Sequence, residues 1–166
     1  MSERSAAPGG LVLVESLVNT LDIESGADAL DTADGRLPFG LTEDEVPAAR
    51  ELRESLRAVL LAHAGHPPHA RVTPLDDLLA SAPLRLTVDA ADGSAALTAA
   101  DVRPLGSRVA AAVAEALVAG TWLRLKACEA VTCHWAYYDR SPAGRGRWCS
   151  MQVCGARAKM RRYRAK

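Results

Sequence analysis

The chain has 166 residues, enough for one ordinary domain and a small satellite but not for two large domains. Apolar residues make up 49% and charged residues 24%, which excludes a disordered chain. The formal net charge is zero but unevenly spread. Residues 122–166 hold eleven Lys and Arg against two acids, Glu129 and Asp139, while residues 1–121 hold nine Arg against eighteen acids. Such asymmetry suggests a basic arm for a polyanion, the plain alternative being that the halves neutralise each other within one fold. No apolar run reaches membrane-spanning length and the start lacks a signal-like segment, so no membrane contact and a cytoplasmic location are expected.

In chain order, residues 1–9 read as a loose tail, and Leu11 to Leu21 as an apolar helix or strand. Residues 24–41, rich in Asp, Gly, Ala and Pro, read as a long loop. Thr42 and Glu45 form a capping-box signature. Behind it, Val46, Ala49, Leu52, Leu56, Val59 and Leu60 recur at helical spacing, with Arg50, Arg53 and Arg57 placed to suit the helix dipole and a stop near Gly65. His63, His66 and His69 read as a solvated helix end rather than a metal site.

Thr73-Pro74 opens a short helix to about Ala80. Leu84, Leu86 and Val88 alternate with Arg85, Thr87 and Asp89, as in a half-buried strand, which Ala95 to Thr98 would answer after a turn at residues 91–94. A further helix spans about Pro104 to Ala119 and ends at Gly120. The expected fold is α+β: a mostly helical body with a β-hairpin, followed by a small treble-clef or ribbon-like zinc finger that ends in a basic helix.

The four cysteines all lie in the last 39 residues, as Cys128-x4-Cys133, fifteen intervening residues, and Cys149-x4-Cys154. Two short-spaced pairs that can meet around one ion suit a closed tetrahedral Zn2+ site. Ligation by all four thiolates leaves no open position, so the metal is structural. The gap between the pairs reads as a hairpin, strand 134–138 returning through 145–148, with Trp135 and Trp148 forming a mini-core over the metal and His134 on the surface. After Cys154, Met160, Tyr163 and Ala156 give a helix an apolar stripe that would dock on that hairpin. Arg145, Arg147, Arg157, Lys159, Arg161, Arg162, Arg164 and Lys166 are the candidate nucleic-acid contacts, since Arg suits both phosphate and guanine edges. Some of these cations would instead balance the negative thiolate–zinc centre or meet the acidic body.

Leu125-Lys126-Ala127-Cys128, Cys133-His134-Trp135, Asp139-Arg140-Ser141, Arg147-Trp148-Cys149-Ser150-Met151 and Cys154-Gly155-Ala156-Arg157 together resemble the CGNR zinc finger. In the name-giving motif, Ala156 stands where that family usually has Asn. More weakly, Leu17-Val18-Asn19-Thr20 and the Leu52-Arg53 helix resemble the ABATE domain, named for stress-induced transcription regulators of bacteria. The resemblance implies an ABATE-like sensing or dimerising unit over residues 1–121 and a CGNR-type finger over 122–166. It also implies DNA as partner and a small-molecule ligand of the front half. A single finger with one short helix has little surface for sequence-specific binding, so a homodimer is expected if binding is specific. A protein-interaction module and an RNA-binding zinc protein are the alternatives. No Gly-rich phosphate loop or nucleophile–base pair stands out, so no enzyme is expected.

Overall fold

The computed structural model describes residues 5–165. The proposed tail residues 1–4 and the proposed contact Lys166 lie outside the described residues.

Helix α1 (Leu11–Val18) turns Leu11, Val14, Leu17 and Val18 inward along one face. The segment before it is not loose where it is described. Ala7 is buried and donates its N–H to Glu15, and Arg140 donates to the carbonyls of Ser5 and Ala6. Gly10 starts α1 because its backbone lies against Ala112, where a Cβ would fall 2.8 Å from the alanine Cβ.

The expected loop at 24–41 instead contains the short helix α2 (Ala33–Arg36) between two 3₁₀ turns, Ala29–Asp31 and Leu37–Phe39. Asp28 and Thr32 cap these pieces, and Leu30 and Phe39 insert into the core. Local side-chain capping and two apolar plugs therefore order a stretch whose composition suggested only a loop.

The Thr42–Glu45 capping box forms, and it opens a 3₁₀ turn that runs into α3 (Val46–His63). This helix buries Val46, Ala49, Leu52, Leu56 and Leu60 as its spacing requires, but Arg53 and Arg57 are buried too. Helix α4 (Leu75–Leu79) follows, and then β1 (Leu84–Val88) and β2 (Ala95–Ala99) form an antiparallel hairpin. The hairpin sits where the alternation put it, but it is not half-buried: β1 is exposed along its whole length. Alternation marks two faces and says nothing of whether an element covers either.

Helix α5 (Leu105–Val118) buries Leu105, Val109, Ala112 and Ala116, and stops at Gly120, whose φ of 68° is the left-handed conformation of a helix C-cap glycine. Two short strands complete the core, β3 (Leu125–Ala127) and β4 (Ala136–Tyr138), paired antiparallel. All three β3 residues are buried. Leu125, Ala127 and Ala136 belong to the same apolar core as α1, α3 and α5, so the core runs without interruption across the 121/122 position. The Asn19 side chain exchanges hydrogen bonds with the backbone of Ala136, at 2.7 and 3.0 Å, and so fastens the end of α1 to the β4 edge.

Candidate functional site

The sheet carries its chemistry at one end. Cys128 follows β3 directly, and its N–H donates to the Trp135 carbonyl. The chain then turns tightly, with Cys133 and His134 both donating to the Ala130 carbonyl. His134 closes the turn at φ 46°, a conformation that a non-glycine residue adopts only when its surroundings hold it there. Its imidazole is half-buried, with Nδ1 2.9 Å from the Cys128 carbonyl oxygen, so it is part of the turn rather than a surface group.

The second pair is delivered differently from the expected hairpin. The strand at 136–138 pairs with β3, not with residues 145–148. The return path is built by Asp139 instead. Its buried carboxylate accepts from Ser141 N, Gly146 N and the Lys126 ammonium, which lies 2.9 Å away and also donates to the Gly144 carbonyl. Burial alone would raise this carboxyl, but the bonds from Ser141 and Lys126 outweigh it and hold the group well below the usual carboxylate range. Gly146 lies so close that a Cβ would sit 2.9 Å from the Asp139 carboxyl. The path then brings Cys149 to the cluster. Residues Met151–Gly155 form a single π-helical turn, capped by Ser150, that places Cys154 and leads into α6 (Ala156–Arg164).

The four sulfurs converge. All lie within 4.8 Å of one another, with Cys133 and Cys149 at 3.5 Å and Cys149 and Cys154 at 3.7 Å. None is in a disulfide. A tetrahedral ion with metal–sulfur bonds of about 2.3 Å needs sulfurs roughly 3.8 Å apart, and the observed spacings fit. The neighbouring sulfurs of Cys128 and Cys149, with burial, push the Cys133 thiol far up. Burial and the same sulfurs push Cys154 up to about 12. Crowded buried sulfurs disfavour thiolate until a cation is present, and a bound dication reverses that preference. Tyr137 and Trp148 pack around the cluster; Trp135 is exposed and does not. The mini-core thus takes Tyr137 in place of Trp135, because pairing with β3 turns Tyr137 inward.

The fold and this site define a closed four-cysteine metal-binding module built onto the end of a helical body. The family model of the CGNR zinc finger matches residues 124–166, the segment that contains all four sulfurs and α6. No curated protein matches the chain. The motif's glycine has a visible cause. A Cβ on Gly155 would lie 3.1 Å from the Met151 sulfur and 3.3 Å from the Trp148 ring. Ala156 is exposed, so the departure from the family pattern leaves the packing untouched.

The basic residues divide into two groups. Arg124 and Lys126 are structural, holding the 139–144 turn through its carbonyls. Arg147 pairs with Glu129 and stacks over Trp148, and Arg157 pairs with Glu24 at 2.8 Å. Arg145, Lys159, Arg161, Arg162 and Arg164 form no ion pair among the described residues. Four of these five lie on α6, which buries no side chain. The expected docking of Met160 and Tyr163 does not occur: they are 51% and 78% exposed. The helix packs mainly on the preceding turn, Met151–Gly155, and buries no side chain of its own.

Sequence reasoning missed a buried ionic network that joins body to finger. Arg57, fully buried, donates to Glu54 and to the carbonyls of Val18 and His134. Arg53 donates to Glu54, Asp28 and Thr20. The histidines read as a solvated helix end also turn inward. His63 packs edge-on against Trp122 and bonds the Leu125 carbonyl, His66 approaches Glu129, and His69 bonds Glu54 and faces His134. They form no metal-holding group among the described residues.

Proposed function

We propose that the chain is a DNA-binding transcription regulator, in which a structural Zn2+ on Cys128, Cys133, Cys149 and Cys154 fixes the base of a basic helix that lies on the nucleic acid. The observation that carries the reading is α6: a short helix that buries no side chain, with four cations that form no ion pair among the described residues, led into by the turn that carries Cys154. Like charges set this close on one exposed helix repel one another and attract a polyanion, whose phosphates would neutralise them. Arg145, in the loop between β4 and Cys149, adds to the charge of the finger, and Arg157 and Arg147 join it once phosphate displaces their carboxylate partners.

In this reading the body is an ABATE-like regulatory unit. A groove of about 270 Å³ between α3, α4 and α5, lined by Leu52, Leu78, Leu105 and Glu45, gives a small ligand a place to act.

The test is fluorescence anisotropy of labelled duplex DNA, and of RNA, titrated with the full chain across a salt series. If the five unpaired cations each reach a phosphate, log affinity falls against log salt with a slope of about −4.5. Replacing Arg161, Arg162 and Arg164 by Ala lowers that slope to about −2. Salt-sensitive binding confined to RNA moves the assignment to an RNA-binding zinc protein, for which the exposed Trp135 and Tyr163 are suited to stacking. No salt-sensitive binding to either polymer overturns the reading in favour of a protein partner.

A further inference from the structure

The β1–β2 hairpin carries two features that the metal module and α6 do not use. The first is its apolar face. The register sets Leu84 opposite Ala99, Leu86 opposite Leu97 and Val88 opposite Ala95, so these six residues share one side of the ribbon. Leu86 and Val88 are 65% and 63% exposed. A two-stranded ribbon is marginal in water, and the apolar face left open at Leu86 and Val88 adds to that cost.

The second is a free edge with a fixed hydrogen-bond pattern. Ala100 donates to the Pro83 carbonyl and Asp89 donates to that of Ser94, which bracket the ladder. Within an antiparallel pair the hydrogen-bonded positions alternate, so Arg85, Thr87 and Asp89 turn their N–H and C=O groups toward β2. Leu84, Leu86 and Val88 turn theirs to the open side. Helix α5 lies mainly against β2, which leaves the β1 edge uncovered.

We propose that this edge pairs with the same edge of a second copy, forming a homodimer through a four-stranded sheet in which β1 meets its own counterpart antiparallel about Thr87. Charge decides both partner and register. Arg85 and Asp89 flank Thr87 symmetrically on the polar face, and neither forms an ion pair among the described residues. An antiparallel copy centred on Thr87 sets Arg85 opposite the partner's Asp89, and Asp89 opposite the partner's Arg85. In the same register Leu86 faces the partner's Val88. These are the positions whose main-chain groups point outward, so two pairs of ladder hydrogen bonds form and the apolar side chains become cross-strand neighbours. Moving the centre to Leu86 would set Arg85 against the partner's Thr87, moving it to Val88 would set Asp89 against the partner's Thr87, and either loses both charge pairs. An unrelated strand has no reason to carry the opposite order of charges at this spacing; a second copy carries it by symmetry.

Sedimentation equilibrium of the full chain tests this. Wild type associates to a dimer. Arg85→Asp or Asp89→Arg alone converts two cross-strand attractions into repulsions and weakens association about tenfold. The combined exchange restores wild-type association. Leu86→Pro removes an edge-facing N–H that β2 does not use, and yields a monomer whose circular dichroism matches wild type. A wild type that stays monomeric at all concentrations overturns the proposal. So does a dimer indifferent to the single reversals, or a double exchange that fails to recover. The dimer is independent of the nucleic-acid reading: a monomer that still binds DNA contradicts only the dimer.

Discussion

The Arg57 guanidinium donates to the main-chain carbonyl of His134 at 2.9 Å, across 77 residues of sequence, and so ties the buried face of α3 to the turn that carries Cys133. His134 is the residue held at positive φ, next to a metal ligand. Through Nη2 the same guanidinium reaches the Val18 carbonyl, and through Nε it reaches Glu54. One side chain therefore joins α1, α3 and the metal turn.

Replacing Arg57 by Met keeps most of its volume but leaves Glu54 with one fewer partner and two carbonyls unsatisfied. Removing one member of a buried ionic network costs about 3–5 kcal/mol. Urea denaturation is expected to show a loss of that order, together with weaker metal retention against a chelator. A loss below about 1 kcal/mol, the scale of a surface ion pair, would place Arg57 outside the supporting structure.

Burial pulls His63 and His69 below their ordinary range; the Leu125 carbonyl and Glu54, respectively, only partly offset this. The folded state thus holds both neutral where the unfolded chain would take up protons. The stability they contribute is complete above the unfolded value of about 6.5 and is lost as pH falls through their folded values. Stability measured from about pH 7.5 to 5.5 with zinc in excess should therefore decline with acidity. His63→Gln combined with His69→Gln should flatten that decline. A wild-type stability that rises on acidification would contradict the assignment.

The two pairs of cysteines, the long apolar helices and the position of the hairpin were all legible, because each rests on local spacing. What escaped the sequence rests on partners far along the chain. The 134–138 stretch has a strand-like pattern, yet nothing local says that it pairs backward with Leu125–Ala127 instead of forward with 145–148. Arg57 and Lys126 look like ordinary surface cations in any window, and only the approach of Glu54 and Asp139 makes their burial tolerable. The eleven cations of the finger were readable as a sum but not as a division, so Arg124 and Lys126, which hold main-chain carbonyls of the 139–144 turn, counted toward the free charge. The apolar stripe of α6 was real in periodicity, yet Met160 and Tyr163 stay exposed.

That stripe gives a third expectation. Met160→Ala and Tyr163→Ala should each change folding stability by less than about 0.5 kcal/mol, the range of ordinary surface substitutions. A loss of about 2 kcal/mol would mean that α6 packs against the strands.

The close approach at Gly155 gives a fourth. Met151 is flexible and able to yield to one methyl group, but the Trp148 ring also stands within 3.3 Å. Gly155→Ala should be mild and Gly155→Val should displace the π-helical turn that carries Cys154. Competition with a chromogenic chelator should show metal affinity falling in the order wild type, Ala, Val. Equal affinity in all three would show that the turn does not depend on this contact.

The convergence of four sulfurs on one point is the centre of the account, and elemental analysis of the purified full chain tests it most directly. With thiol reactivity measured in parallel, one zinc per chain is expected, with all four cysteines protected until the metal is stripped. Zinc well below one per chain, with freely reactive thiols or a disulfide among Cys128, Cys133, Cys149 and Cys154, would contradict it.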